Sequence, residues 1–259
     1  REFFQVVFSE IARLSSNTRS HEFKLYRYPS KKLEAWEPNP LELFEHKAMA
    51  NIVAMEKFWH DGNNGRRARP ILSDIRKVSE IPPKSINIVV TSPPYGDSRT
   101  TVAYGQYTRL SSQWLGLIEK RNLDRESLGG IPSETLEHSL SSPSLDRSVS
   151  LIAEKDEQRA REVLSFYVDL NESLIVIDKL LKQSGVICFV LGNRTVKGVR
   201  LPTDEILVEL FSTLGYKHLT TIIRNIPSKS MPLQNSPTNK RGEIQNTMHQ
   251  EYIVVMQKP

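Results

Sequence analysis

The sequence predicts an α/β protein, a sheet of parallel strands with helices on both faces. Three observations carry this. Short apolar runs and helical segments follow one another in the order strand 86–91, helix, strand 186–191, helix, strand 218–224, strand 251–257, and strands alternating with helices make a parallel sheet. The run "VICFVL" over 186–191 is almost wholly apolar, as a central strand covered on both faces must be. Two strand ends, Ser92-Pro93-Pro94-Tyr95 and Gly192-Asn193-Arg194, are polar and irregular, and ligands in such sheets sit beyond the carboxyl ends of the strands.

Taken in order, "FFQVVFSEIARL" places Phe4, Val7, Phe8, Ile11 and Leu14 at helical spacing. A basic, aromatic connection follows, then a helix over "PLELFEHKAMANIVAMEKFW" and a loop at "DGNNGRRARP". "SINIVVTS" is a short strand that ends at the Pro-Pro pair. Residues 97–160 form an insertion rich in Ser, Gly, Arg and Glu, with a helix around "RLSSQWLGLIEK". An amphipathic helix runs from Glu157 to Lys182, stopped by Gly185. "LPTDEILVELFSTLG" is a helix with Thr203 as N-cap, acidic residues in its first turn and Gly215 as its stop. "HLTTIIR" and "EYIVVMQ" are strands, separated by a polar stretch too long for a hairpin turn. These elements divide the chain into a helical, basic segment over 1–69 and a larger unit over 70–259 that contains the insertion.

With 259 residues, 38% hydrophobic and 25% charged, the composition is that of an ordinary soluble globular protein. No run approaches the ~18 apolar residues that span a bilayer. The opening "REFFQVVF" has neither an initiator Met nor a signal-peptide pattern, which predicts a piece of a longer, cytoplasmic chain. The one cysteine, Cys188, sits in an apolar run and reads as a buried thiol. The six histidines are scattered without ligand spacing, so no metal site is expected. The net charge of +5 is unevenly spread. Arg19, Lys24, Arg27, Lys31 and Lys32 interleave with Phe23, Tyr26 and Tyr28; Arg66, Arg67 and Arg69 cluster next, and Lys229, Lys240 and Arg241 lie in the long polar stretch. Two readings stand: a surface for a polyanion, where each neutralised phosphate releases counterions, or a solvated basic face.

The stretch "VVTSPPYGDSR" ends a strand in a stiff aromatic corner. An exocyclic amino group on a nucleobase is a poor nucleophile, because its lone pair is delocalised into the ring. Preorganised acceptors that hold its hydrogens favour a pyramidal nitrogen. Ser92 supplies a hydroxyl, the Pro93 carbonyl is held by two fixed φ angles, and Tyr95 offers a flat face to a base taken out of the helix. Cytosine C5 chemistry would instead need a thiolate, and Cys188 lies in mid-strand.

Thr-Ser-Pro-Pro-Tyr after an apolar strand resembles the catalytic motif of the amino-methylating DNA methyltransferases, with serine at the first position as in the N4-cytosine branch. The resemblance covers about residues 70–259. It implies a Rossmann-like methyltransferase sheet, here partial, whose last two strands form an antiparallel pair. It implies a catalytic set of Ser92, Pro93, Pro94 and Tyr95, and S-adenosylmethionine as cofactor. "ILSD" resembles the family's acidic strand end, so Asp74 would contact the cofactor's adenine. After the next strand, Asn193, Arg194 and Lys197 either line the cofactor or phosphate side of the pocket or simply make the turn. Double-stranded DNA is the implied substrate in a restriction-modification setting; on the polyanion reading of the basic clusters, its contacts are Arg19, Lys24, Arg27, Arg66, Arg67, Lys229, Lys240 and Arg241.

The family's F-x-G-x-G loop, which cradles the methionine part of the cofactor, does not occur in the sequence. The reading is therefore a catalytic half, completed by a segment upstream of Arg1, by one downstream in a permuted order, or by a second polypeptide. Methylation of the adenine N6 amino group and a non-catalytic nucleic-acid-binding domain are the alternatives.

Overall fold

A computed structural model describes residues 1–19, 25–62, 67–96, 104–117, 123–226, 234–235, 245–246 and 250–259. The chain divides into two compact units, Arg1–Ile71 with Ala103–Asp124 and Leu72–Val102 with Arg125–Pro259. Helices α1 (Glu2–Leu14), α2 (Ser30–Leu33), α3 (Pro40–Gly62) and α4 (Tyr104–Trp114) belong to the first. Val7 and Ile11, one turn apart on α1, bury against Ala48 of α3, with Phe3, Leu14 and Phe44 packed around them.

The insertion expected over 97–160 is split between the units. Its helix lies at Tyr104–Trp114 rather than 109–120 and clusters with α1. Arg13 is buried with its guanidinium 4.3 Å from the Tyr107 ring centroid, and Ser111 Oγ donates to the Ser9 carbonyl at 2.5 Å. The helix stops in a turn where Gly116 takes φ +68°, a conformation that glycine adopts without steric cost.

The remaining elements are β1 (Ile86–Thr91), the short α5 (Leu123–Glu126), α6 (Pro143–Ala153), α7 (Glu157–Leu180), β2 (Leu181–Leu191), β3 (Thr195–Val196), β4 (Val199–Arg200), α8 (Thr203–Thr213), β5 (Lys217–Asn225), β6 (Gln234–Asn235), β7 (Gln245–Asn246) and β8 (Gln250–Gln257). The main sheet has the order β1-β2-β8-β5. β1 and β2 are parallel, with Val89 opposite Ile187 and Thr91 opposite Phe189. β8 is antiparallel to both β2 and β5. The parallel pair and the antiparallel closing strand are thus as the sequence leads one to expect.

One face of this sheet carries the core. Ile187, Phe189 and Leu191 alternate along β2, and Tyr252, Val254 and Met256 along β8, into a cluster with Leu145 of α6, Tyr167, Leu170 and Leu174 of α7, and Ile206, Leu210 and Phe211 of α8. The alternate residues face the other way. Ile88 is 58% and Val90 68% exposed, so the described residues do not supply the cover expected on that second face.

Two local expectations change. α7 starts at its Asp156 cap, whose side chain accepts from the Arg159 amide, but ends at Leu180 and passes straight into β2. Gly185 does not stop the helix. It lies where the β1–β2 register jumps, and a Cβ there would sit 2.6 Å from Leu181 Cγ. Thr203 does not cap α8 either; Pro202 holds that position. The Thr203 hydroxyl is taken by the buried Tyr167 hydroxyl at 3.0 Å, whose own pKa burial pushes up to about 12.

Candidate active site

Because β1, β2 and β5 run parallel to one another and β8 runs against them, three strand ends and one strand start meet at the same edge of the sheet. There the chain leaves β1 through Ser92, Pro93, Pro94 and Tyr95. Ser92 is exposed, the two prolines and Tyr95 are half-buried, and the Tyr95 ring packs against the main core. Gly96 follows with φ +137°, and a Cβ on it would fall 1.7 Å from Arg194 Nη1. Only glycine lets the Arg194 side chain cross the backbone so closely. This contact joins the corner to the turn after β2, so the two polar strand ends lie side by side.

The hydroxyls of the corner form a chain. Ser92 Oγ donates to the Tyr95 hydroxyl at a long 3.4 Å, and the Tyr95 hydroxyl donates to Glu251 Oε1 at 2.9 Å. Arg224 Nε donates to Glu251 Oε2 at 3.0 Å, and its Nη2 makes a second contact to the same oxygen. Burial, first among several causes, pushes the Tyr95 hydroxyl above its ordinary range. The Arg224 guanidinium holds the Glu251 carboxyl below the usual carboxylate range, so Glu251 is ionised at neutral pH and can only accept. Arg224 and Glu251 face each other across β5 and β8. Neither stands out in the sequence. The signal was there in outline: an acidic residue opening a strand that runs antiparallel to β1 is delivered to the carboxyl end of β1.

The two residues expected at the cofactor hydrogen-bond to neighbours in the chain. "ILSD" forms no strand. Asp74 caps a 3₁₀ turn over Ile75–Lys77 and accepts from the Arg76 side chain through both carboxylate oxygens, Oδ1 from Nε at 3.1 Å and Oδ2 from Nη2 at 2.8 Å. That hydrogen bonding keeps its carboxyl low, and Arg76 reaches on to Asp169 of α7 at 3.0 Å. A bond between neighbours two residues apart has overridden the strand expected of the apolar run. Asn193 stands in the turn after β2, where Nδ2 donates to Asp204 Oδ1 at 2.7 Å and Oδ1 accepts from the Asp204 amide at 3.3 Å. It does from outside α8 the capping expected of Thr203. The turn ends in the β3–β4 hairpin, held by Lys197 to Asp156 at 2.8 Å and by Arg200 to the Tyr252 hydroxyl at 2.7 Å.

Of the basic residues expected on nucleic acid, Arg19 and Arg27 are exposed in the first unit. The backbone pairs Thr18 with Arg27, and the Arg19 guanidinium lies 6.0 Å from the Tyr26 ring centroid. Arg67 is exposed as well. Lys24, Arg66, Lys229, Lys240 and Arg241 lie outside the described residues. Among the described residues no cluster of His, Cys, Asp and Glu is placed to hold a metal ion, and no helix is long and apolar enough to cross a membrane.

Ser-Pro-Pro-Tyr thus stands at the carboxyl end of the parallel pair, where the resemblance puts the motif. No family model matches the chain. It is 43% identical to the type II methyltransferase M.MvaI of Kocuria varians over 272 residues, an alignment that takes in 99% of this chain and 60% of that protein. Among solved structures it is similar to a candidate DNA modification methylase of Thermus thermophilus, at 19% identity and a TM-score of 0.36 over 72% of this chain and 51% of that one. The complex of the same protein with S-adenosyl-L-methionine gives 20% and 0.38, over 72% and 54%. The chain spans 60% of the length of the curated relative it matches.

Proposed function

We propose that the complete protein is an S-adenosylmethionine-dependent DNA methyltransferase of a restriction-modification system, acting in the cytoplasm on the N4 amino group of cytosine. This chain supplies the part of the site that holds the base. The observation that carries the reading is the direction of the Ser92 hydroxyl. The Tyr95 hydroxyl gives its own hydrogen to Glu251 and is an acceptor 3.4 Å from Ser92 Oγ; a Ser92 hydrogen turned to it leaves the serine lone pairs for the hydrogens of an incoming amino group. The Pro93 carbonyl beside it belongs to a residue with no N–H of its own. Two acceptors on one amino group draw its lone pair out of conjugation and toward an electrophilic methyl, which is what the cofactor supplies. Tyr95 stacks on the flipped base, and stacking of this kind is worth about 1–3 kcal/mol. Serine at the head of the motif favours cytosine over adenine.

The residues of this chain do not make a cofactor site by themselves. Asp74 and Asn193 have their polar atoms on Arg76 and Asp204, and the sequence has no F-x-G-x-G. In this reading the hold on the cofactor falls to a further half, in the same polypeptide or a second one. The curated relative's greater length leaves room for such a half. The outer edge of β1 has no strand partner among the described residues, and the exposed Ile88 and Val90 give that half an apolar surface to cover. Calorimetry on the isolated chain is expected to show no binding of S-adenosylmethionine in the micromolar range. Micromolar binding would assign a cofactor role to residues read here as structural.

Arg19, Arg27 and Arg67, with Lys24, Arg66, Lys229, Lys240 and Arg241, are the proposed phosphate contacts on duplex DNA. The reading as a whole is tested by nucleoside mass spectrometry of duplex DNA after incubation with the complete enzyme. N4-methylcytosine is expected. N6-methyladenine would keep the corner's chemistry and change the base, and unmodified DNA would remove the enzyme reading.

A further inference from the structure

We propose that Glu251 is a positioning residue of the Ser-Pro-Pro-Tyr corner, fixing the Tyr95 hydroxyl and, through it, the direction of the Ser92 hydroxyl. The inference rests on the methyltransferase reading above. β2 lies between β1 and β8 in the sheet, so the 2.9 Å bond from Tyr95 to Glu251 passes over the end of β2 and ties the corner to the third strand. An ionised carboxylate has no hydrogen to give, so the Tyr95 hydroxyl must donate to it. The tyrosine oxygen is then an acceptor for Ser92, and Ser92 presents lone pairs rather than its hydrogen to the open side. If the chain were reversed, Ser92 would point a hydrogen at an amino group that also carries hydrogens, and donor would face donor.

The surroundings of Glu251 fit a fixed acceptor better than a proton store. Its side chain is 14% exposed, against 60% for Arg224, so the arginine shields and anchors the carboxylate from the solvent side. A carboxyl held low by a guanidinium is a poor destination for the proton that the amino group loses. The role left to it is orientation of the two hydroxyls and of the Tyr95 ring.

The test is a double-mutant cycle in the complete enzyme, read as the single-turnover rate at saturating DNA and S-adenosylmethionine, with DNA affinity measured alongside. Tyr95→Phe and Glu251→Gln are each expected to slow transfer about tenfold, the first by removing the hydroxyl bonded to a charged group and the second by replacing an acceptor-only carboxylate with a neutral amide that can also donate and so no longer fixes the hydroxyl's direction, with DNA affinity changed less than about twofold. The double variant is expected to be no slower than either single one, because Glu251 acts only through the hydroxyl that Tyr95→Phe removes. Losses that multiply to about a hundredfold would show two independent roles and overturn the inference, as would a Tyr95→Phe enzyme at the wild-type rate. If Glu251→Gln fails to fold, Tyr95→Phe decides alone, since it removes one oxygen from a half-buried ring. A wild-type enzyme that transfers no methyl group would overturn the methyltransferase reading itself, and this inference with it.

Discussion

On the function proposed above, Ser92→Ala in the complete enzyme is expected to slow single-turnover methylation of duplex DNA by about 10²-fold or more. Alanine removes one acceptor from the amino group and leaves β1, both prolines and Tyr95 in place. Loss of one preorganised group at a reacting centre typically costs on the order of 10²–10³ in turnover. Ser92 is exposed and packs little, so the unfolding midpoint of the variant stays close to that of the wild type, which separates loss of chemistry from loss of fold. Unimpaired turnover in Ser92→Ala would remove the proposed mechanism whatever the base. Tyr95→Ala acts on a different step, weakening capture of the flipped base.

The largest effect on stability is expected at Phe189. This ring sits in β2 opposite Thr91 of β1 and Val254 of β8, 2% exposed, with its edge against Phe211 of α8 at a centroid distance of 5.7 Å. Alanine there loses the buried ring and leaves a cavity in a place where two strands and a helix cannot collapse together. Such truncations cost about 3–5 kcal/mol, a large share of what a domain of this kind has in total. Urea unfolding measures it as a fall in midpoint at constant slope. A loss below about 1 kcal/mol would mean that Phe189 is not part of a close-packed interior.

Much of the fold could be read because it is local. β1 is 86–91 in both sequence and structure, since a β-branched run bounded by Ser-Pro-Pro has no other regular form. β5 and β8 each begin one residue before the stretch expected of them. What could not be read depends on partners far along the chain. Thr203 has the look of an N-cap, but its hydroxyl goes to Tyr167, 36 residues away, and Asn193 caps the helix instead. Asp74 looks like an acid at a strand end, and only the structure shows Arg76 turning toward it and on to α7. The corner itself divides the same way. Ser92, Pro93, Pro94 and Tyr95 are contiguous and were found together, whereas Glu251 and Arg224 join them through the antiparallel placement of β8. The sequence argument valued Tyr95 for the face of its ring; the bond to Glu251 gives its hydroxyl a task as well.

The strand order also sets a timetable. Among the described strands β8 comes last in the sequence, yet it lies between β2 and β5. On the ribosome, the nine residues of β5 emerge with no sheet neighbour among the described strands until β8 follows them. A nascent β5 is therefore an unpaired edge, open to other chains until the gap is filled. The same event completes the corner, because Glu251 rides on β8, 156 residues after Tyr95. At translation rates of roughly 5–20 residues per second, the interval is about 8–30 s. For that time the newborn protein carries its Ser-Pro-Pro-Tyr segment without the acid that accepts from Tyr95.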